Sequence, residues 1–211
     1  MPTSHWNQLN EIMDMVVLIS PKSVLDVGVG FGKYGFLSRE FLELRDSEVE
    51  YGKWKRTIDG IEAYEGYLTP VHEHIYDEIF IGDAVELVPN LEKKYDLVLL
   101  IDVLEHLDRG EGEKLLDACI GRSGHVIVST PKNIGGQKDS HDNPYEVHRS
   151  QWTKADFARF PGKFFVPNYN SIICYIGGDA ARLRSALRRS RVGSAITNLF
   201  PFLSPSGKRR R

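Results

Sequence analysis

A glycine-rich turn after the first strongly apolar run of the chain could hold a polar ligand. The turn consists of Asp26-Val27-Gly28-Val29-Gly30-Phe31-Gly32. Glycines let backbone N–H groups approach a ligand without obstruction by a Cβ, and a helix that follows such a turn presents its positive end. Gly30, Gly32 and Gly35 also satisfy the G-x-G-x-x-G dinucleotide fingerprint. The glycines alone therefore leave the choice of ligand open.

Asp26 narrows that choice because of its position near the end of a buried strand. A carboxylate there needs a hydrogen-bond donor or a cation to offset its desolvation, and it would repel a pyrophosphate. The alternative is that Asp26 only accepts hydrogen bonds from amides of the turn. The pattern favours a ligand with a positively charged group over a dinucleotide.

Three more acids follow at the ends of later predicted strands: Glu62, Asp83 and Asp102. Carboxylates at such positions can accept hydrogen bonds from the hydroxyl and amino groups of a nucleoside. Glu62 lies 27 residues after Gly35, further than the about 20 residues of the dinucleotide fingerprint, which weakens the dinucleotide interpretation. Asp59 is an alternative ribose ligand, and Glu62 could also be an ordinary acid at a strand end.

Two histidines are candidates for acid–base chemistry. His106 follows the carboxyl end of a central predicted strand, and an unperturbed histidine has a pKa near 6.5. His148 lies in residues 130–152, a polar loop with glycines, histidines and the aromatic residues Tyr145 and Trp152. A loop at this place commonly covers the substrate. A capping or packing role is the alternative for each histidine.

Asp102, Glu105 and His106 form a D-x-x-E-H cluster whose oxygen and nitrogen atoms could bind magnesium or zinc. Two adjacent residues seldom converge on one ion without distortion of the loop. We therefore expect no bound metal. Cys119 and Cys174 lie far apart and show neither metal-type spacing nor a disulfide framework.

Apolar runs of strand length alternate with helix-length segments, which predicts an α/β fold. The expected architecture is a Rossmann-like three-layer sandwich with a mostly parallel seven-stranded sheet and a C-terminal antiparallel hairpin. The predicted strands are residues 23–27, 57–63, 78–81, 95–101, 125–129, 164–166 and 171–176. The predicted helices are residues 6–19, 33–44, 68–77, 111–120, 151–160 and 180–194. In the second helix, helical spacing places Phe36, Leu37, Phe41 and Leu44 on one side.

The ordered motifs resemble those of class I S-adenosylmethionine-dependent methyltransferases, especially the small-molecule branch that includes ubiquinone-biosynthesis O-methyltransferases. Residues 24–32 are similar to the first motif, 60–62 to the acidic end of the second strand, 82–84 to the third motif and 95–107 to the fourth. The resemblance implies S-adenosyl-L-methionine as cofactor and S-adenosyl-L-homocysteine as product. The implied cofactor-binding residues are Asp26, Gly28, Gly30, Gly32, Glu62, Asp83, Ala84 and Asp102.

The resemblance also implies a role for each acid: Glu62 would bind the ribose hydroxyls, Asp83 the adenine amino group and Asp26 the ammonium group. Methyl transfer from a sulfonium is an in-line displacement that depends on positioning and exclusion of water. His106 and His148 would deprotonate or orient the acceptor oxygen or nitrogen. The alternatives are a nicotinamide-dependent oxidoreductase that uses residues 30–35 and a catalytically silent binding protein with a methyltransferase fold.

The charge distribution divides the chain into a body, residues 1–179, and a tail, residues 180–211. The tail contains nine of the 27 basic residues and none of the 29 acidic ones. We predict a methyltransferase domain followed by a basic amphipathic helix and a disordered end. Residues 180–203 resemble an interfacial membrane helix, and a helix packed on its own domain is the alternative.

The composition suits a cytoplasmic protein. If the tail binds lipid, the protein would lie at the inner face of a membrane. We expect no secretory signal, because no basic start followed by an apolar run and a small-residue cleavage site appears at Met1, and the apolar runs are too short to span a bilayer. The acidic body makes a nucleic-acid partner improbable. The expected acceptor is a small molecule or a lipid- or sugar-linked group, and the sequence does not indicate an oligomeric state.

Overall fold

A single seven-stranded sheet organises the computed structural model, which describes residues 3–44, 50, 52–135 and 143–199, with side chains as far as residue 189. The strands are β1 (Ser23–Val27), β2 (Thr57–Glu62), β3 (Glu78–Ile81), β4 (Tyr95–Ile101), β5 (Ser123–Pro131), β6 (Lys163–Val166) and β7 (Ser171–Gly177). Their order is β3-β2-β1-β4-β5-β7-β6. The first five strands are parallel, and β7 pairs antiparallel with both β5 and β6. The predicted α/β architecture is confirmed.

Helices cover both faces of the sheet. They are α1 (Leu9–Ile19), α2 (Lys33–Arg39), α3 (Pro70–Ile75), α4 (Ala84–Asn90), α5 (Arg109–Arg122) and α6 (Ala180–Leu199). Side chains of α1, α2, α3 and α6 join the apolar cluster on one face, and those of α4 and α5 join the cluster on the other. Because strand side chains alternate, β4 sends Leu97 and Leu99 to the first cluster and Val98 and Leu100 to the second. This burial on both faces explains the continuous apolar run of β4.

Of the apolar side predicted for residues 33–44, Leu37 packs against the core, whereas the other three side chains are exposed. Phe36 is 53% exposed and Leu44 is 45% exposed, whereas Ser38, Arg39 and Glu43 are buried. The α-helix ends at Arg39 and continues as a π-helical segment, Glu40–Leu44, which changes the spacing of its sides. Arg39 donates 2.7 Å hydrogen bonds to the carbonyls of Ile75 and Arg56 and a 2.6 Å hydrogen bond to the carboxylate of Asp77, and these partners offset the burial of its guanidinium.

The structure differs from the predicted helices at two further places. Residues 151–160 contain only a short 3-10 helix, Lys154–Phe157. A capping box formed by Thr153 and Asp156 stabilises its N-terminus. The helix α4, seven residues long with Pro89 inside it, was not predicted from the sequence. A helix this short with an internal proline leaves little periodic signal.

The first turns of α6 pack against the body of the protein. Leu183 and Leu187 are buried in the same cluster as α1, and Arg182, Arg184 and Arg188 are exposed. The apolar side chains that an interfacial helix would insert into lipid are therefore covered as far as Leu187. Phe200, Phe202 and the final Lys-Arg run lie outside the described residues. The boundary between a methyltransferase domain and a tail at residue 179 stays a prediction.

Within the described residues, no helix combines the length and the apolar character that crossing a bilayer requires.

Candidate active site

A cavity of about 860 Å³ lies at the carboxyl ends of the parallel strands. Strand order reverses between β1 and β4, and the crevice at such a point is the usual ligand site of an open α/β sheet. Eight of the ten residues predicted for the site line this cavity: Gly28, Gly30, Glu62, Asp83, Ala84, Asp102, His106 and His148. Gly32 and Asp26 do not line it.

The turn after β1 is held in a conformation that favours glycine. Gly28 has a φ of 78° and Gly30 a φ of 54°. A Cβ on Gly28 would lie 2.6 Å from Cγ2 of Val103, so any other residue would require Val103 to shift. The turn therefore brings its backbone to the cavity in a way that few substitutions would preserve.

The Gly30 peptide is fixed on both sides. Its N–H donates to Oε2 of Glu62 at 2.8 Å. Nδ1 of His72 accepts the N–H of Thr69 at 3.0 Å, so the ring proton belongs on Nε2, which donates to the Gly30 carbonyl at 3.0 Å. His72 is buried on α3 and was not among the predicted residues. Its only sequence signal is the capping pattern with Thr69.

Asp26 lies beneath the turn rather than in the cavity wall. It is 2% exposed, and its carboxylate accepts a 2.7 Å hydrogen bond from the hydroxyl of Tyr76. Burial raises the pKa of Asp26 to about 7, against the opposing effect of that hydrogen bond. Tyr76 is thus the donor that the buried carboxylate requires. The expected direct contact between Asp26 and an ammonium group of a ligand does not fit this geometry.

Glu62 and Asp83 line the part of the cavity formed by β2 and β3. Glu62 accepts hydrogen bonds from the N–H groups of Gly30 and Tyr64, and burial raises the pKa of its carboxyl group. Asp83 caps α4 by accepting the N–H of Val85 at 2.8 Å. Each carboxylate oxygen has two lone pairs, so both side chains can still accept hydrogen bonds from a ligand.

Asp102 continues the row of acids at the end of β4. Its φ of 53° lies in the left-handed region, which costs a non-glycine residue on the order of 1 kcal/mol or more. The carboxylate accepts hydrogen bonds of 2.6 Å from Gln8 and 2.7 Å from Ser129, and burial raises its pKa. The strained backbone thus aims this acid at a fixed place in the cavity wall.

The N-terminal segment forms part of the same wall, which the sequence did not indicate. Thr3, Ser4 and His5 line the cavity. The Ser4 carbonyl accepts a 2.5 Å hydrogen bond from Nζ of Lys33, whose pKa is lowered by burial. Gln8, fully buried, ties the segment to Asp102.

His106 and His148 come together although they are 42 residues apart in the sequence, and their ring centroids are 4.9 Å apart. Burial, and next the neighbouring His148, lower the pKa of His106. Glu105 is 1% exposed, and burial raises the pKa of its carboxyl group well above the usual range. One potential ligand atom from each of these three residues lies within 4.8 Å of the other two. Asp102, the first residue of the D-x-x-E-H run, is not part of this group.

The loop that precedes His148 supplies further cavity residues. Tyr145 lines the cavity and is 48% exposed, whereas Trp152 is buried in the core and does not line the cavity. Glu146 also lines it and accepts a 3.0 Å hydrogen bond from the hydroxyl of Tyr67, a pair that the sequence did not indicate. His141 and Asp142 lie outside the described residues.

Comparison with known proteins connects this architecture to solved structures. No family model and no curated protein sequence matches the chain. The methyltransferase domain of a bacterial Hen1 protein, CtHen1, is 17% identical with a TM-score of 0.53, over 82% of this chain and 98% of that one. The N-terminal domain of EvdMO1, crystallised with SAH and D-fucose, is 17% identical with a TM-score of 0.58, over 83% and 84%. An O-methyltransferase family protein from Burkholderia thailandensis is 15% identical with a TM-score of 0.52, over 81% and 57%.

The chain has the methyltransferase fold. At these identities the likeness concerns the arrangement of the chain and not its chemistry. Along the sheet edge of this methyltransferase fold, Asp83 follows β3, Glu62 ends β2, the glycine turn follows β1 and Asp102 follows β4. The histidine pair follows Asp102, and Lys132 and Asn133 come after β5.

Proposed function

We propose that the protein is an S-adenosyl-L-methionine-dependent methyltransferase that acts at an oxygen or nitrogen of a small-molecule, sugar or lipid-linked acceptor. The observation that carries the proposal is the convergence of Glu62, Asp83 and Asp102 with the glycine turn on one cavity. An acidic wall suits a cofactor with a sulfonium and an ammonium group, because opposite charges attract most strongly where water is excluded.

The same wall argues against a nicotinamide dinucleotide. A dinucleotide pyrophosphate normally uses the free N–H groups of the glycine turn. Here the Gly30 N–H already donates to Glu62, and that carboxylate would lie next to the phosphate. Glu62 would have to move before a pyrophosphate could bind.

The acids define where the parts of the cofactor would lie. We assign the ribose hydroxyls to Glu62, the adenine to Asp83 and Ala84, and the amino-acid portion to Asp102 and the backbone of the glycine turn. When bound, the cofactor supplies an electrophilic methyl group for in-line displacement. The protein's part is to position the acceptor in line and to exclude water.

His106 and His148 are placed to receive a proton from an acceptor hydroxyl. Burial lowers the pKa of His106, which favours the neutral form that a base requires. Exposed aromatic side chains at the cavity, Phe31, Tyr145 and Tyr169, offer faces against which a ring-shaped acceptor can pack. The D-fucose that accompanies EvdMO1 supports a sugar among the possible acceptor classes.

Thermal unfolding with added ligands tests the cofactor assignment. S-adenosyl-L-homocysteine should raise the melting temperature of the wild-type protein, because a ligand that binds only the native state stabilises it, and NAD⁺ should not. The Gly30→Val variant, whose side chain would occupy the approach to the backbone, should not respond. A shift with NAD⁺ alone would indicate an oxidoreductase, and no shift with either ligand would indicate a silent binding protein. Transfer of a labelled methyl group to a panel of sugars, phenols and amines would then identify the acceptor.

A further inference from the structure

We propose that the mouth of the cavity binds the surface of a membrane that contains anionic lipids, through exposed aromatic side chains on one side of the mouth. Trp6, Phe31 and Tyr169 are 78%, 71% and 88% exposed. Phe31 and Tyr169 line the cavity, and Trp6 directly follows His5, which also lines it. We call these three exposed residues the aromatic rim. Large apolar side chains that are exposed at one place commonly mark an interaction surface.

Two side-chain contacts attach the segment around Trp6 to the segment around Tyr169. Asn168, which precedes Tyr169, donates from Nδ2 to the carbonyl of the residue after Trp6 at 2.9 Å. The side-chain amide of Asn170, which follows Tyr169, lies 3.2 Å from Nε2 of His5. The backbone is therefore held on both sides of each aromatic residue. A surface that is ordered before binding loses little conformational entropy when it binds.

The charge around the aromatic rim suits an anionic surface. The segments that form this side of the mouth are residues 3–8, 31–34, 131–135 and 167–171. None of these segments contains Asp or Glu. Lys132 lines the cavity and is exposed, and its Nζ donates to the carbonyl of Asn168 at 2.6 Å. A positive charge thus lies close to Tyr169, whereas the acids Glu62 and Asp83 lie on the side of the cavity formed by β2 and β3.

The tail adds further positive charge. The helix α6 begins at the end of the sheet opposite the cavity, because Gly177 at the end of β7 pairs with His125 near the start of β5. A helix of 20 residues is about 30 Å long, which suffices to bring the basic residues after it to the level of the mouth. Its apolar side packs on the body through Leu183 and Leu187. The aromatic rim therefore supplies the apolar contact with lipid, and the tail supplies electrostatic attraction.

The residue types of the rim favour a bilayer surface as its partner. Tryptophan and tyrosine accumulate where a bilayer meets water, because their rings are apolar and their N–H or O–H groups can still form hydrogen bonds. Stable attachment to a membrane usually needs two signals, such as an apolar group together with a polybasic segment. The aromatic rim and the nine basic residues of the tail provide both.

This mode of binding indicates the class of acceptor. Because Phe31 and Tyr169 belong both to the rim and to the cavity wall, a membrane bound there faces the opening of the cavity. A lipid headgroup or a lipid-linked sugar can then enter without leaving the membrane surface. Among the proposed acceptors, the lipid-linked class fits this arrangement. The choice of acceptor rests on the proposed function, whereas membrane binding does not.

Co-sedimentation of the full-length protein with vesicles tests the proposal. We expect binding to vesicles of equal parts phosphatidylcholine and phosphatidylglycerol, and binding about fivefold weaker or less to phosphatidylcholine alone. Trp6→Ala and Tyr169→Ala should each weaken binding to the anionic vesicles by about fivefold or more. Phe36→Ala is the matched control, because Phe36 is an exposed aromatic residue outside the cavity wall, and it should bind as the wild type does. No binding by the wild type, or equal binding by all four proteins, would overturn the proposal.

Quenching of tryptophan fluorescence by brominated phospholipid identifies the surface that meets the lipid. Trp152 is buried in the core, and Trp54 is half-buried and lies outside the cavity wall. Trp6 should therefore account for the quenching in the wild type. Trp6→Phe keeps an aromatic ring, so this variant should still bind the vesicles but lose the quenched signal. If quenching persists in Trp6→Phe, a different surface meets the membrane and the proposal is wrong.

Titration of S-adenosyl-L-homocysteine without vesicles separates this proposal from the proposed function. Unchanged binding of this ligand by Trp6→Ala shows that the variant is folded and that its loss of vesicle binding is local. Vesicle binding by a wild-type protein that does not bind the ligand contradicts the proposed function and leaves the membrane surface standing. Ligand binding without vesicle binding has the opposite meaning.

Discussion

The Tyr76 hydroxyl donates a 2.7 Å hydrogen bond to the carboxylate of Asp26, which precedes it by 50 residues. The tyrosine ring reaches this position through the space that Gly35 leaves, since a Cβ on Gly35 would lie 2.3 Å from Cζ of Tyr76. A buried acid, its donor and a glycine on α2 therefore form one unit beneath the turn that lines the cavity. The effects of changing each member can be distinguished.

Replacement of Asp26 by Asn should remove part of the dependence of stability on pH. The pKa of Asp26 is raised from 3.8 to about 7, so the folded state binds this proton more tightly than the unfolded state does. The associated stability is full below about pH 4 and is lost as the pH rises through 7, with an upper limit of about 4 kcal/mol. Urea unfolding at pH 4.5 and 7.5 should show a smaller decrease in Asp26→Asn than in the wild type. Equal decreases would contradict the raised pKa.

Gly35→Ala should destabilise the protein by about 1–3 kcal/mol, because the added methyl group displaces the Tyr76 ring in a packed core. Gly110→Ala is the matched control, since Gly110 lies near the start of α5 and a Cβ there meets no atom within 4 Å. Denaturant unfolding should leave the control unchanged or slightly more stable. Similar stability of the two variants would mean that Tyr76 moves aside at no cost.

Glu62→Gln should weaken binding of S-adenosyl-L-homocysteine by about tenfold or more. The amide nitrogen cannot accept a hydrogen bond, so one of the two backbone donors, Gly30 or Tyr64, loses its partner. Glu65→Gln, an exposed acid three residues further along, should bind the ligand as the wild type does. Calorimetric titration measures both, and equal affinities would remove Glu62 from the site.

His72→Ala should weaken binding of S-adenosyl-L-homocysteine by about fivefold. This corresponds to loss of the hydrogen bond to the Gly30 carbonyl, worth about 1 kcal/mol. His72→Gln should recover part of the affinity, because its amide N–H can reach the same carbonyl. A purely structural role would lower the stability of both variants without this recovery. Titration at a temperature at which each variant is fully folded keeps the two effects separate.

Much of the sheet could be predicted from local sequence alone. β1, β3 and β4 were predicted to the residue, since each is a short apolar run that ends at a glycine or an acid. The convergence of Glu62, Asp83 and Asp102 followed from topology, because the carboxyl ends of parallel strands meet at one edge of a sheet.

The remaining features depend on contacts that no local pattern encodes. Gln8 meets Asp102 across 94 residues, and Tyr67 meets Glu146 across 79. The partner of Asp26 was misjudged for the same reason: burial shows that a donor is needed, and only the folded chain shows that Tyr76 supplies it. The burial of Arg39 on α2 could not be predicted either, because its partners lie in distant segments.

The N-terminal wall of the cavity has a kinetic consequence. Residues 3–8 are attached through individual side-chain hydrogen bonds from Lys33 to Ser4, from Asn168 to Asn7 and from Gln8 to Asp102, and between Asn170 and His5. None of these bonds belongs to a strand pair, so the segment can move away while the sheet stays intact. Release of a bound ligand on this side therefore requires only a few polar contacts to break, and its rate should be independent of the rate of global unfolding.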